Sequence, residues 1–374
     1  MESNANVQSQ GVPPPISPPP VISAPPPPKP RKRLWVVFVV VLVCAVVFGV
    51  LASVAAFMAE IFAVAGKVPR DGGPRVEEVV LEDNGAVAKI AVIELDGVIT
   101  EAIVRGGYTM VEVFEAQLKR AAADEKVKAV ILRVNSPGGE ALAADRISAA
   151  IREFQDKRRK PVVACLGSLA ASGAYYVSAP CRWIVAHEMT ITGSIGVMIS
   201  TLNYRGLMDK VGLKPMIYKS GKYKDMLSGA RPPDEITEEE HAMIQALIDE
   251  VYLRFKNVVA EGRKWSNEQS GGEGRALAAN WEAYADGRVL SGREAYKHGF
   301  VDELGDFKTA VKRAKKLAGV TEANLVQYRQ RVELVDLLGL IGPGKETVVK
   351  LDVGLERIRL EPGKLYFVAP QFFH

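Results

Sequence analysis

The chain has 374 residues and a formal net charge of +4, and its 48% hydrophobic and 25% charged residues are typical of a globular protein. This mild net charge argues against nucleic-acid binding. The three cysteines (Cys44, Cys165 and Cys181) exclude a disulfide-rich scaffold, and without a C-x-x-C or H-E-x-x-H pair the sequence does not support a zinc site.

Residues 1–33 are predicted to be disordered. Eleven of the 22 prolines lie between Pro13 and Pro30, and proline lacks the N–H that helices and sheets require. The segment therefore favours extended polyproline II. Its role stays open between a ligand for an aromatic-lined groove and a spacer tail, of which the spacer is more common.

Residues 34–59 are predicted to form a transmembrane helix. They contain no charge and are long enough to cross a bilayer core of about 30 Å. Four basic residues between Lys29 and Arg33 precede them, which places the N-terminus in the cytoplasm and the chain after residue 66 outside it. A cleaved signal peptide is the alternative, but the apolar stretch exceeds the usual length of about 7–15 residues. We therefore expect a retained single-pass anchor in contact with membrane lipid.

Residues 60–85 are interpreted as a linker, and residues 86–320 alternate strand and helix patterns. The predicted strands are short and rich in Val and Ile, as buried strands are: Ala88–Leu95, Lys128–Val134, Pro161–Leu166, Arg182–Ala186, Ile195–Ser200 and Lys214–Lys219. Helices are predicted from Thr109, over Leu142–Phe154 and from Thr237, the first and last with capping boxes to Glu112 and Glu240. This order predicts an α/β fold with parallel strand pairing. Residues 321–374 are expected to be a peripheral C-terminal extension.

Three turns with glycine follow predicted strands. Val134–Gly139 ends in a Gly-Gly pair, whose free backbone N–H groups could hold an anion such as the oxyanion of acyl transfer. Ser172 lies among small residues at a predicted helix start. The small neighbours let a substrate backbone approach closely, and the helix dipole favours developing negative charge. The alternatives are a plain tight turn for the first and an N-cap serine for the second. Ser194, in the third turn, is either a turn residue or a hydrogen-bond partner in a site.

A serine nucleophile also needs a base. His187 is the only histidine near these turns, and a lone histidine is more often structural than catalytic. The alternative base is a lysine kept neutral because burial lowers its pKa. Lys219, Lys222 and Lys224 cluster in the segment KSGKYKDM, although loop lysines are usually solvated.

Four segments in the order RVNSPGG, SLAASGAYYVSA, TITGSIGV and KSGKYKDM resemble the signal peptide peptidase A family, membrane-bound serine proteases of the Clp-protease/crotonase superfamily. Residues 286–305 resemble the family's G-R-V-x-[ST]-G-x-x-A stretch. The resemblance covers about residues 88–320, and a single motif set resembles the short form of the family. It implies a Clp-protease/crotonase-like α/β fold of repeated ββα units with one N-terminal transmembrane helix.

The resemblance also implies roles for individual residues. Ser172 is the nucleophile, and Lys224, which is 52 residues further along the chain, is the general base. Ser194 orients the lysine amine, and the backbone N–H groups of Gly139 and Gly173 form the oxyanion hole. The family places its base directly before an aspartate, which selects Lys224 over the competing Lys222.

By the same resemblance the protein hydrolyses remnant signal peptides and other hydrophobic peptides at the cell membrane, without a metal or nucleotide cofactor. It forms a homo-oligomeric ring in which nucleophile and base come from one chain or from neighbouring chains. Other interpretations are a related Clp-like protease with a specific membrane-protein substrate, an acyl-CoA enzyme of crotonase type, or a catalytically idle scaffold. The proline-rich tail and the segment after residue 320 match no family motif.

Overall fold

The computed structural model describes residues 32–65, 73–103, 107–331 and 364–369. Almost all of the predicted proline-rich tail and most of the predicted C-terminal extension lie outside these residues. The chain divides into two compact units, Met1–Ala63 and Val64–His374.

Helix α1 extends over Lys32–Ala65, and all but its last two residues belong to the first unit. Its Trp35–Ser53 stretch is the one helical segment in the described part of the chain that is long and apolar enough to cross a membrane. Large side chains such as Trp35, Phe38 and Phe48 are exposed along it. The predicted apolar span over residues 34–59 therefore lies in one continuous helix.

The second unit is built around a nine-stranded sheet with helices on both faces. The strands of the unit are β1 (Val76–Glu82), β2 (Lys89–Asp96), β3 (Val127–Ser136), β4 (Gly138–Glu140), β5 (Val162–Ala170), β6 (Trp183–Ala186), β7 (Ile191–Gly193), β8 (Val289–Ser291), β9 (Glu303–Leu304), β10 (Asn324–Gln330) and β11 (Tyr366–Val368). Its helices are α2 (Met110–Ala123), α3 (Ala141–Arg158), α4 (Gly173–Ser178), α5 (Arg205–Lys210), α6 (Glu238–Gln269), α7 (Gly292–Lys297) and α8 (Phe307–Ala318).

The sheet order is β1-β10-β2-β3-β5-β6-β9, with β7 joined to β5 and β8 joined to β7, while β4 pairs separately with β11. Strands β10, β2, β3, β5, β6 and β9 are parallel neighbours, and β1 is antiparallel to β10. The central strands are buried on both faces. In β3, Val130 and Leu132 belong to one hydrophobic cluster, whereas Ala129 and Ile131 belong to the other.

The α/β fold class with one N-terminal apolar helix is confirmed. The first four predicted strands correspond to β2, β3, β5 and β6, and the three predicted helices to α2, α3 and α6. The capping boxes at Thr109 and Thr237 are both present. These predictions succeeded because strand length, apolar composition and caps are local signals.

Two predicted strands, Ile195–Ser200 and Lys214–Lys219, are wrong. The strand of the first region lies earlier, at β7, and the chain leaves the sheet because Gly193 and Ser194 take φ values of 73° and 50°. The second region has exposed side chains at Met216 and Tyr218 and no strand assignment. A short apolar run without a partner strand does not make a sheet.

The expected peripheral position of residues 321–374 is wrong for the part that the structure describes. Strand β10 lies inside the large sheet, between β1 and β2, and β11 pairs with β4. Strand β1 lies in the segment interpreted as a linker, and its partner is β10. Both errors have one cause, since these strands become visible only through pairing between distant parts of the chain.

An ion pair between Arg263 and Asp302 fixes α6 to the sheet. Both side chains are fully buried. The Asp302 carboxylate also accepts hydrogen bonds from the backbone N–H groups of Ile184 (2.8 Å) and Arg275 (3.1 Å). It therefore joins β6, α6 and the loop before β8.

Replacing this buried carboxylate should destabilise the fold strongly. We expect Asp302→Ala to lower the free energy of unfolding by about 3–5 kcal/mol, because it leaves the Arg263 guanidinium buried without its counter-charge. Denaturant unfolding measures the loss. The control is Glu153→Ala, which removes an exposed partner of Lys157 and is expected to leave the unfolding midpoint unchanged. Equal midpoints for the two variants would contradict the structural role of Asp302.

Candidate active site

The site lies where the neighbouring strands β3 and β5 end. Because parallel strands place their carboxyl ends at the same edge of a sheet, the Gly-Gly turn after β3 meets the serine turn after β5. The register pairs Ser136 with Ala170, and the N–H of Ala171 donates to the Ser136 carbonyl oxygen at 3.2 Å. Two of the three glycine turns are thus brought together by sheet topology.

Ser172 is fully buried at the start of α4 with φ 55° and ψ −118°. A non-glycine residue in such a conformation costs about 1–3 kcal/mol, and such strain is common at functional sites. Its backbone N–H donates to the Gly193 carbonyl oxygen at 2.8 Å. Its side chain makes no capping bond, and its Oγ is buried without a hydrogen-bond partner in the described structure. Ser172 therefore occupies the N-cap position of α4 without capping it through its side chain, and the hydroxyl remains available for chemistry.

The amides of Gly139 and Gly173 lie next to each other beside this serine. The N–H of Ile99 donates to the Gly138 carbonyl and the N–H of Glu140 to the Ile99 carbonyl, so that the amide of Gly139 points to the opposite side. A Cβ placed on Gly173 would lie 3.2 Å from the Gly139 nitrogen. Two adjacent donors of this kind can hold a tetrahedral oxyanion.

Gly138 makes this arrangement possible. Its φ is +98°, and a Cβ on it would lie 2.7 Å from the backbone nitrogen of Gly173, closer than any real side chain approaches. Only glycine combines this backbone conformation with this proximity. The Gly-Gly pair is therefore not a plain tight turn.

Ser194 directly follows Gly193, whose carbonyl oxygen accepts the hydrogen bond from the Ser172 backbone N–H. It is nearly fully buried with φ 50°, and its N–H donates to the Arg288 carbonyl oxygen at 2.7 Å. Strand β8 pairs with β7, so the segment starting at Asp286 supports the turn that carries Ser194. The structure thus brings Ser172, Gly139, Gly173 and Ser194 to one place.

The three clustered lysines differ in their surroundings. Lys219 contacts Asp225 at 2.6 Å and Lys222 contacts Glu239 at 2.8 Å. The hydrogen bond that Lys222 donates to the Glu239 carboxylate raises the pKa of Lys222, so its amine stays protonated and cannot accept a proton. Lys224 is exposed, and its amine makes no hydrogen bond or ion pair within the described residues. Since the Ser172 Oγ has no partner either, the two side chains are not hydrogen-bonded to each other within this chain.

His187 is at the surface, with its Nδ1 accepting from the backbone N–H of Met189 at 3.1 Å in its own turn. This is the structural role expected of a lone histidine.

The site has one component that the motifs did not indicate. Strand β11 runs antiparallel to β4, with Phe367 opposite Gly139. The apolar run Leu365–Val368 was its only signal in the sequence.

Comparisons with known proteins match the segment of the chain that contains this site. Peptidase family S49 matches residues 154–321, which include Ser172, Ser194 and Lys224. A Methanocaldococcus jannaschii protein named as a protease is 42% identical over 206 residues, covering 55% of this chain and 61% of that protein. An Enterococcus faecium protein named as the signal peptide peptidase SppA is 36% identical over 262 residues, covering 69% of this chain and 72% of that protein. Protease 4 of Salmonella typhi is 33% identical over 272 residues, covering 73% of this chain and 39% of that protein.

The aligned region thus spans less than two thirds of the M. jannaschii and Salmonella relatives and more than two thirds of the Enterococcus one. The resemblance found in the motifs is confirmed, and so is the enzyme class, a serine protease. The strained serine, the paired glycine amides and the relatives all lead to one assignment: this chain belongs to peptidase family S49.

Proposed function

We propose that the protein is a membrane-anchored endopeptidase that cleaves remnant signal peptides and other hydrophobic peptides, with Ser172 as nucleophile and Lys224 as general base. The observation that carries the proposal is the Ser172 hydroxyl, buried and without a hydrogen-bond partner, beside the amides of Gly139 and Gly173. An unpaired buried hydroxyl costs about 1–3 kcal/mol, so its retention favours a functional role.

The chemistry follows from these groups. The neutral Lys224 amine takes the proton of the Ser172 hydroxyl as its oxygen attacks the peptide carbonyl carbon. The amides of Gly139 and Gly173 stabilise the oxyanion, and each such donor typically lowers the barrier by about 2.7–4 kcal/mol. The lysine then protonates the leaving amine. A water molecule, deprotonated by the same lysine, hydrolyses the acyl-enzyme and regenerates the serine. Ser194 is proposed to orient the Lys224 amine toward the Ser172 hydroxyl through a hydrogen bond.

The position of Lys224 supports assembly of the dyad between neighbouring chains of a ring. The segment around it exposes several large apolar side chains, which isolated soluble surfaces rarely do: Leu202, Leu207, Val211, Leu213, Met216, Ile217 and Tyr218. A second copy packed on this segment would bury both the apolar side chains and the lysine. Burial is also the condition under which a lysine becomes an effective base.

The location of the enzyme is proposed from its N-terminal helix. Helix α1 supplies a single membrane-spanning segment, and the basic residues before it favour a cytoplasmic N-terminus with the catalytic unit on the other side. Anchoring would keep the site close to hydrophobic peptides left in the bilayer. The name of the Enterococcus relative, a signal peptide peptidase, supports this substrate class.

A serine-reactive probe tests the proposal directly. We expect a fluorophosphonate to label the purified full chain at a single residue, Ser172, identified by peptide mass spectrometry, and to abolish peptide hydrolysis in proportion to labelling. Ser194→Ala should still be labelled at Ser172. Labelling at any other serine, or full hydrolysis by a completely labelled enzyme, would overturn the assignment.

A further inference from the structure

The segment that carries Lys224, residues 219–231 and here called the lysine loop, has little backbone structure to hold it in place. Between α5 and α6 the chain forms only turns and one short 3₁₀ helix. A cavity of about 510 Å³ lies between the loop and α6, with Met226 and Leu227 on one side and Ile244 on the other. The loop therefore depends on side-chain contacts for its position relative to α6.

One arginine joins the lysine loop to α6. The Arg231 guanidinium donates to both oxygens of the Glu240 carboxylate, through Nη1 and, at 3.2 Å, through Nη2. Its Nη2 also donates to the Glu235 carbonyl oxygen. The side chains of Arg231 and Glu240 are only 12% and 3% exposed. Such a bidentate pair fixes the direction of the contact as well as its length.

Glu240 is a rigid partner for this arginine because it also caps α6. Its carboxylate accepts a hydrogen bond from the Thr237 backbone N–H at 2.9 Å, and its own N–H donates to the Thr237 hydroxyl at 3.2 Å. The hydrogen bond from Arg231 lowers the pKa of this carboxyl to about 2, so the pair stays charged at neutral pH. Further along the 32-residue helix, Phe255 and Val259 are fully buried in the core. The lysine loop is thus tied to an element that the core holds.

The same guanidinium reaches the residue that follows Lys224. Its Nη1 lies 3.6 Å from the Asp225 carboxylate, which also contacts the Lys219 amine at 2.6 Å. Asp225 therefore lies between two cations, one from each end of the lysine loop, and its side chain is only 12% exposed. Because these contacts fix the residue after Lys224, they also fix the place from which the exposed Lys224 side chain extends.

We propose that Arg231 is a positioning residue for the general base. Through Glu240 and Asp225 it holds the lysine loop on α6, which presents the Lys224 amine at one fixed place. The proposal rests on the proposed function of Lys224. Proton transfer requires a base within hydrogen-bond reach of the serine hydroxyl, and a displacement of about 1 Å can cost about 100-fold in rate. Loss of Arg231 leaves the base chemically intact but without a fixed position.

Arg231→Ala in the full chain, purified in detergent, tests this role. It should lower kcat for peptide hydrolysis by about 10- to 100-fold and leave KM within about two-fold, because the transition state alone loses its positioned base. Fluorophosphonate labelling of Ser172 should slow in parallel. Arg231→Lys keeps the charge but not the bidentate geometry, and it should recover part of the rate. Unchanged kcat in folded Arg231→Ala would overturn the proposal.

Arg313→Ala is the matched control. Arg313 is also mostly buried, at 16% exposure, and it pairs with two carboxylates, Glu303 at 2.9 Å and Glu273 at 3.2 Å. It lies on α8, whose buried alanines belong to the hydrophobic cluster on the other side of the sheet from α4. The control should lower the thermal unfolding midpoint but leave kcat unchanged. An equal loss of kcat in the two variants would mean a general effect of lost stability, and the positioning role would be wrong.

A double-mutant cycle tests whether Arg231 acts through Glu240. Glu240→Gln keeps the capping box of α6 but removes the charge, and it should lose as much kcat as Arg231→Ala. The double variant should lose no more than either single variant, because the two side chains act as one unit. Losses that multiply in the double variant would contradict the pair. If Arg231→Ala does not fold, unchanged kcat in Glu240→Gln is the result that overturns the proposal.

The same assays separate this proposal from the proposed function. If Lys224→Ala is inactive while Arg231→Ala keeps full activity, the base stands and its positioning by Arg231 fails. If Lys224→Ala stays active, the proposed base itself is wrong. Thermal unfolding of each variant establishes that the chains compared are folded.

Discussion

Ser172→Ala should abolish peptide hydrolysis, with a loss of about 10⁴- to 10⁶-fold in kcat, because the reaction loses its nucleophile and the base has no hydroxyl to deprotonate. The fold should remain intact. The Ser172 Oγ is buried without a hydrogen-bond partner, so removing it relieves a desolvated polar group. We therefore expect an unfolding midpoint equal to or higher than that of the natural chain, measured by thermal denaturation beside the hydrolysis assay.

Ser178→Ala is the matched control for this variant. Ser178 is also a buried serine of α4, but its Oγ donates to the Ala174 carbonyl oxygen at 2.8 Å. Its replacement should lower stability by about 0.5–1.5 kcal/mol and leave hydrolysis intact. Activity above about one hundredth of the natural value in pure Ser172→Ala would contradict the role of Ser172, because a lost nucleophile costs far more than that.

Lys224→Ala and Lys224→Arg should both be inactive. Alanine removes the base, and arginine keeps its guanidinium protonated, so it accepts no proton from the serine. Lys222→Ala is the control, since Lys222 already pairs with Glu239 at the surface. Peptide hydrolysis by the three purified variants measures the difference, and an active Lys224→Arg enzyme would exclude lysine as the base.

Mixing the two inactive variants shows whether the dyad is shared between chains. If Ser172 of one chain uses Lys224 of its neighbour, an oligomer reassembled from equal amounts of Ser172→Ala and Lys224→Ala regains about a quarter of the natural activity. In a quarter of its interfaces, the chain that supplies the serine has an intact Ser172 and the chain that supplies the lysine has an intact Lys224. A dyad within one chain regains none. The exposed Lys224 and the unpartnered Ser172 hydroxyl favour recovery.

The sequence predicted those parts of the site that depend on local chemistry. A glycine pair after an apolar strand and a serine among alanines indicated the two turns, and the parallel pairing of β3 with β5 then brought them together. The choice of Lys224 over Lys222 came from the resemblance, and the ion pair of Lys222 with Glu239 now supports it on physical grounds. The catalytic roles of these residues remain predictions.

What the sequence could not predict depends on contacts between distant segments. The pairing of β11 with β4 joins residues more than 220 positions apart, and neither three-residue strand has a pattern of its own. The Phe367 ring packs against Tyr176 of α4 and Phe255 of α6, and no spacing in the chain relates these residues. The strand predicted at Lys214–Lys219 is wrong for the same reason, because its short apolar run has no partner strand in the described part of the chain.

The place of β10 between β1 and β2 has a consequence for how the protein is made. Among the described strands, β1 pairs with β10 alone, and the two are separated by about 250 residues of chain. During synthesis from the N-terminus, β1 emerges early and stays unpaired until nearly the whole second unit has been made. Such high contact order slows folding and leaves an apolar edge exposed to aggregation in the meantime. Premature termination before residue 324 would therefore yield a chain that lacks β10 and cannot join β1 to β2 in the sheet.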